Sequence, residues 1–191
     1  TLSDHFVPLG IAVHALDLRG HGRSPGQRGY IEDWADYRED LDVLVRALAS
    51  DPAPLFLLGN SLGGLIVLDY ALHQPGLLAG VIAAAPPLGV LGVPAVLMAL
   101  GRVMSRVWPR FSLRTGMDLD ALSRDPEARR VVLDDPLFHR RGTARLSTEV
   151  TSAIDRVQRL APTLAVPVLL LHGTADRMVP PDGTREFFSR L

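Results

Sequence analysis

Gly59-Asn60-Ser61-Leu62-Gly63-Gly64 interrupts an otherwise apolar stretch, with Leu55-Phe56-Leu57-Leu58 before it and Leu65-Ile66-Val67-Leu68 after it. A chain that passes from a strand to a helix through so short a segment must turn sharply. Residues two before and two after the serine must then be small, because side chains would clash in the strained turn. The pattern predicts a strand over Leu55 to Leu58, a tight turn holding Ser61, and a helix over Leu62 to His73. Ser61 would sit exposed over the N-terminus of its own helix. The amide of Leu62 would then face the place where negative charge develops on an acyl oxygen under attack. A glycine-rich turn with a solvated serine is the plain alternative, and the apolar flanks argue against it.

The rest of the chain repeats the strand-then-helix rhythm. Ile11 to Leu18 reads as a strand leading into the turn-rich loop Arg19-Gly20-His21-Gly22-Arg23-Ser24-Pro25-Gly26. From Glu32 to Ala49, apolar residues at Trp34, Tyr37, Leu41, Leu44, Val45 and Leu48 trace one helical face. Further strands are expected over Gly80 to Ala85 and Val166 to Leu171, with helices over Ser147 to Leu160 and from Asp182 through Leu191. Nearly continuous apolar strands alternating with helices argue for a parallel sheet covered on both faces.

Between Leu88 and Thr148 the rhythm stops, and no strand is legible. Apolar residues at 93, 96, 97, 100, 103, 104, 107 and 108 mark a helix over Val93 to Trp108, with Arg102 and Arg106 together on the opposite face. A second helix start is written in Ser123-Arg124-Asp125-Pro126-Glu127. The expected organisation is a core over 1–87, a helical insertion over 88–147 and the rest of the core over 148–191.

Composition excludes several functions. Acids and bases are interspersed with a net charge of −1, so no nucleic-acid footprint is visible. With no cysteine there is no disulfide and no thiolate chemistry. Neither a metal motif nor a phosphate-cradling loop occurs, and no metal or other cofactor is expected. The uncharged stretch from Gly76 to Gly101 is broken by Pro86, Pro87 and Pro94, which favours a buried strand and a separate helix over a membrane span. No signal peptide is legible at Thr1, where the sequence reads as the middle of a helix, so its absence does not fix a location; location is unknown from the sequence, with the cytoplasm favoured.

A serine hydroxyl needs a base, and the base needs a carboxylate to orient it. Asp176 lies in a short glycine-containing loop after the strand 166 to 171, at the sheet edge where Ser61 is expected. Its plain alternative is a turn cap or a pair with Arg177. For the base, nucleophile-acid-histidine order asks for a histidine after Asp176, and residues 177 to 191 contain none. His172 is too close in sequence to Asp176 to bridge to Ser61. His21 leaves the same sheet edge, although a glycine-flanked histidine more often bonds the backbone of its own loop.

The segments Asp17 to Gly26, Gly59 to Gly64, Leu122-Ser123-Arg124-Asp125 with Asp135-Pro136-Leu137, and Val168 to Asp176 together resemble the monoacylglycerol lipase and lysophospholipase branch of the α/β-hydrolases. The resemblance runs nearly end to end. It implies a partial α/β-hydrolase fold with an inserted helical cap, and a cofactor-free serine hydrolase acting on monoacylglycerols or related lipid or acyl esters. Ser61 would be the nucleophile, Asp176 the triad acid and Leu62 one oxyanion amide. The apolar helix of the cap would face an acyl chain or make transient contact with a membrane surface; packing onto the core explains the same stripe. Asn60 departs from the histidine that family members usually carry there. The family's His-Gly oxyanion motif and its triad histidine fall outside residues 1–191. The expectation is therefore the middle of a longer protein, lacking the first strands and the last strand, with little or no esterase activity by itself. Other capped serine hydrolases, of lysophospholipase or aminopeptidase type, and a non-catalytic binding protein of the same fold remain as alternatives. Oligomeric state is not legible.

Overall fold

The computed structural model describes residues 1–89, 95–114, 116 and 118–191. In chain order the elements are α1 (Leu2–Phe6), α2 (Ala35–Leu48), β1 (Phe56–Asn60), α3 (Leu62–His73), β2 (Gly80–Ala84), α4 (Ala95–Val107), β3 (Ser112–Arg114), α5 (Pro126–Asp134), β4 (Arg141–Thr143), α6 (Ala144–Leu160), β5 (Val168–Leu171) and α7 (Asp182–Ser189). Three parallel strands form the main sheet in the order β1-β2-β5, in a register that aligns Asn60 with Ala84 and Ala84 with Leu171. Parallel neighbours need crossovers, and α3 and the long β2-to-β5 excursion supply them.

α3 is the centre of the core. Every residue from Gly64 to Ala71 is buried, so the helix is apolar nearly all round apart from Asp69. It lies between the sheet, α2 and α6, whose inward side chains Tyr37, Leu41, Val45, Ala153, Ile154 and Val157 complete the cluster with Leu57 and Val81 of the strands. Burial of each large side chain contributes about 1.5–3 kcal/mol. The one carboxylate on that helix, Asp69, is wholly buried and accepts from Trp34 Nε1 at 2.9 Å, Arg38 at 2.8 Å and Arg156 at 2.9 Å. It ties α3 to α2 and α6 and to the residue before α2.

Several expectations change. Ile11 to Leu18 forms no strand among the described residues, and most of it is exposed. No described strand lies alongside to pair with its backbone, and its polar end is organised locally: the Asp17 carboxylate accepts from the Arg23 amide at 2.9 Å, and Arg19 forks onto Asp40 at 2.7 and 2.6 Å. Among the described residues the sheet is covered on one face only. Burial along β1 alternates, with Leu57 and Gly59 inward, while Phe56, Leu58, Leu169 and Leu171 stand 41–55% exposed. Apolar runs were the sign of two-sided cover, yet the described helices α2, α3 and α6 all pack on the same side. Between the expected core segments a short antiparallel pair does occur, β3 with β4, too brief for a period of two to register in the sequence. α7 stops at Ser189 rather than running through Leu191.

The apolar stripe of α4 points away from the protein. Gly101, Ser105 and Met98 face α6, with the Ser105 hydroxyl 2.9 Å from that of Thr148. Val96, Leu97, Leu100, Val103, Val107 and Trp108 are all more than half exposed. Small residues let the two helices approach closely, and they leave most of the stripe outside the packing among the described residues. Val93, also assigned to that stripe, lies outside the described residues. Among the described residues no helix is long and apolar enough to cross a membrane.

Candidate active site

β1 ends at Asn60 and α3 begins at Leu62, so Ser61 makes the turn alone. Its backbone lies at φ 52°, ψ −121°, a region that costs a non-glycine residue about 1–3 kcal/mol. Two hydrogen bonds hold it there: the Ser61 amide donates to the Ala84 carbonyl at 2.8 Å, and the Leu65 amide donates to the Ser61 carbonyl at 3.2 Å. Ala85, at φ 44°, is the other described non-glycine residue with positive φ, and its amide donates to the Leu171 carbonyl at 2.7 Å. Strain is thus gathered at the carboxyl edge of the sheet, where ligands bind in parallel α/β folds.

The glycines do not act alike. A Cβ on Gly59 would lie 2.2 Å from the Gly63 carbonyl oxygen, so the strand cannot carry a side chain there. A Cβ on Gly63 would meet nothing within 4 Å, which corrects the expectation that both flanks are sterically required. Gly64 is the second tight position, 3.1 Å from the Pro86 side chain. Because Leu65 makes the first bond of the helical ladder, the amides of Leu62, Gly63 and Gly64 are left outside it, at the positive end of a twelve-residue helix. The Ser61 hydroxyl is half-buried and makes no hydrogen bond to any described residue.

Asp176 lies beyond β5, on the same edge. One strand, β2, separates the ends of β1 and β5, so two sheet spacings, about 10 Å, lie between them. Both plain readings of Asp176 are modified: Oδ1 does cap the turn, accepting from the amides of Met178 and Val179 at 2.9 Å each, while Arg177 pairs with Asp118 at 3.5 Å instead. Oδ2 is left without a hydrogen bond, 3.7 Å from His172 Nε2.

The four partly buried histidine rings are engaged elsewhere. His172 Nε2 donates to the Val179 carbonyl at 2.8 Å, which leaves Nδ1 to accept from the Thr184 hydroxyl at 2.8 Å. That pins the loop carrying Asp176 to α7, a holding role that the sequence contained in His172-Gly173-Thr174-Ala175-Asp176 but did not reveal. His21 Nδ1 donates to the Arg19 carbonyl at 3.1 Å within its own loop. Its ring packs against His139, centroids 4.9 Å apart, and His139 Nε2 donates to the Gly20 carbonyl at 3.1 Å. Burial, with the nearby His139 and Arg28 adding to it, holds the His21 imidazole below its ordinary pKa, against the opposing effect of the Arg19 carbonyl. His73 Nδ1 donates to the Asp69 carbonyl at 2.7 Å.

Residues 1–191 match the serine aminopeptidase S33 family throughout. The monoacylglycerol lipase of Mycolicibacterium smegmatis is 33% identical over 197 aligned positions, which take in all of this chain and 69% of that protein. The human monoglyceride lipase is 34% identical, over 95% of this chain and 61% of its own length. Among solved structures, the monoacylglycerol lipase of Paleococcus ferrophilus superposes with a TM-score of 0.92 at 37% identity, covering the whole of this chain and 73% of that one. The chain belongs to the α/β-hydrolases of the serine aminopeptidase S33 family and, within them, is a monoacylglycerol lipase-like member of a family of carboxylic ester hydrolases.

Proposed function

We propose that Ser61 is the nucleophile of a serine hydrolase that cleaves monoacylglycerols or related lipid esters. The observation that carries the reading is the strained, unengaged serine at φ 52° over the start of α3. In this mechanism Ser61 Oγ attacks the ester carbonyl as an imidazole takes its proton. The amide of Leu62 donates to the oxyanion of the tetrahedral intermediate, which collapses to an acyl-enzyme and releases the alcohol. Water then repeats the sequence and frees the fatty acid. Asp176 orients the imidazole through Oδ2, its other oxygen being held by two amides. The names of the relatives in Mycolicibacterium smegmatis and human support the substrate class. Residues 88–147 act as the cap, and the outward stripe of α4, ending at the 58%-exposed Trp108, rests transiently on the lipid surface that holds the substrate.

The test is labelling of the natural protein that carries this chain with a fluorophosphonate at neutral pH. An adduct on Ser61, absent from Ser61→Ala and formed some 10⁴-fold more slowly in Asp176→Asn, is expected. Absence of any Ser61 adduct would favour a non-catalytic binding protein. Residues 1–191 alone, whose four partly buried imidazoles are bonded elsewhere, are expected to hydrolyse p-nitrophenyl esters barely if at all. Substantial turnover abolished by Ser61→Ala would refute that second expectation.

A further inference from the structure

β2 ends between the two arms of the site. Asn60 aligns with Ala84 and Ala84 with Leu171, so one step further on Ser61, Ala85 and His172 come abreast at the carboxyl edge, with Ala85 in the middle. The last peptide group of the strand joins both neighbours: its carbonyl, on Ala84, accepts from the Ser61 amide at 2.8 Å, and its N–H, on Ala85, donates to the Leu171 carbonyl at 2.7 Å. His172 turns its ring to Val179 and Thr184. Ala85 therefore stands alone between the nucleophile and the loop that carries Asp176.

Its backbone is strained in a way that glycine would not be. The φ of 44° lies in the left-handed region, which a Cβ disfavours and which asparagine and aspartate tolerate better than alanine. Surrounding structure imposes it. The two hydrogen bonds of the peptide group fix one side, and on the other Pro86 packs against the first turn of α3, its side chain 3.1 Å from the Cβ position of Gly64. Pro86, Pro87 and Leu88 are all buried, and Gln158 Nε2 donates to the Leu88 carbonyl at 2.7 Å. An extended residue at 85 would carry the chain on past the edge, between Ser61 and His172. The positive φ bends it onto α3 after a single step, and of residues 85–88 only Ala85 stays partly exposed. Ser61 and Ala85, the two described non-glycine residues with positive φ, are thus neighbours at one edge, as expected where strain serves a site.

Resting on the reading of Ser61 as nucleophile and Asp176 as acid, we propose that Ala85 is a positioning residue: its left-handed turn and one-carbon side chain keep the end of β2 clear for the imidazole that links Asp176 to Ser61. With the strands in the order β1-β2-β5, a ring held by Asp176 Oδ2 and facing Ser61 lies across the end of β2. The titratable groups on that edge are Asp176 and the engaged His172 beyond β5; the first turn of α3 carries none. A longer neutral side chain at 85 takes the room of the ring and parts it from Asp176. The base then loses the carboxylate that favours its protonated form, and its pKa falls.

The test uses the natural protein that carries this chain, with Ala85→Gly and the isosteric pair Ala85→Asn and Ala85→Asp. All three residues suit a positive φ, so melting temperatures at or above that of the wild type are expected. Ala85→Gly keeps the wild-type rate and pH profile. Ala85→Asn lowers both kcat on a monoacylglycerol and the rate of Ser61 labelling by a fluorophosphonate at least about tenfold, with KM nearly unchanged, and moves the acidic limb of the profile to lower pH. Ala85→Asp sets a carboxylate against the ring and moves that limb to higher pH, at least about one unit from that of Ala85→Asn. The contrast between the isosteres is readable even if both melt below the wild type. Full activity of Ala85→Asn, an equal loss in Ala85→Gly, or coincident limbs for the isosteres overturns the proposal while leaving the nucleophile in place. A wild-type protein whose Ser61 takes no label refutes the reading of Ser61, and this role of Ala85 with it.

Discussion

Gly59 and Gly63 stand symmetrically about one serine and differ in what surrounds them. The Gly59 Cβ position is blocked by backbone 2.2 Å away, and backbone cannot be moved aside as a flexible side chain can. Gly59→Ala is expected to lower the unfolding free energy by about 1–3 kcal/mol, the usual cost of overpacking. Gly63→Ala, in open space at a helical position, is expected to leave stability unchanged or raise it by up to about 1 kcal/mol. Urea denaturation of the two variants checks the contrast, and equal losses would mean that the turn is built differently. The spacing rule treated the two glycines alike because a sequence does not say which Cβ would meet which carbonyl. Asp176 is a similar case: its place after a strand was legible, whereas the two amides that hold one oxygen and leave the other free come from the local fold of Met178 and Val179.

The Asp69 cluster belongs to the scale of elements, since it joins α2, α3 and α6. Two guanidiniums and an indole converge on a carboxylate with no exposure at all, and neutralising it would leave Arg38 and Arg156 half-buried without their counter-charge. Asp69→Asn is expected to cost about 3–5 kcal/mol, and Arg38→Gln clearly less, because Arg156 and Trp34 would still engage the carboxylate. Chemical denaturation of both variants tests the ordering; a larger loss for Arg38→Gln would contradict it. The sequence did carry a signal, a lone acid within Leu65-Ile66-Val67-Leu68-Asp69-Tyr70-Ala71. Its partners, 31 to 87 positions away, were not legible, since a charge that must be neutralised does not name what neutralises it. Helix existence was easier to read. Leu62 to His73 coincides with α3, and the stripe on α4 was visible as a stripe, but only the packing of Gly101 and Ser105 on α6 turned it outward.

At the scale of the whole molecule, the loop after Leu18 meets the segment between β2 and α6 through the His21 and His139 rings and a 2.7 Å bond from Gln27 Nε2 to the Arg110 carbonyl. Because burial holds the His21 pKa below the ordinary 6.5, the unfolded chain binds more protons than the folded one between the two values. Stability from this group is therefore complete above about pH 7 and declines as pH falls through 6.5 toward the lowered folded value. Thermal unfolding between pH 7.5 and 5 should show that decline, and His21→Gln should flatten it; an unchanged slope would remove His21 as its source.

The succession β1, α3, β2, then α6 and β5, the serine in its turn and the acid after the last strand are local matters, and the sequence by itself determined them. Periodicity and turn chemistry act over a few residues, which is why they could be read without coordinates. Only the tertiary structure decided that Ile11 to Leu18 pairs with no described strand, that among the described residues one face of the sheet is exposed, and that Asp69 gathers two arginines. Each of these depends on which distant surfaces meet, and the burial energy that chooses among such meetings belongs to the packed core as a whole.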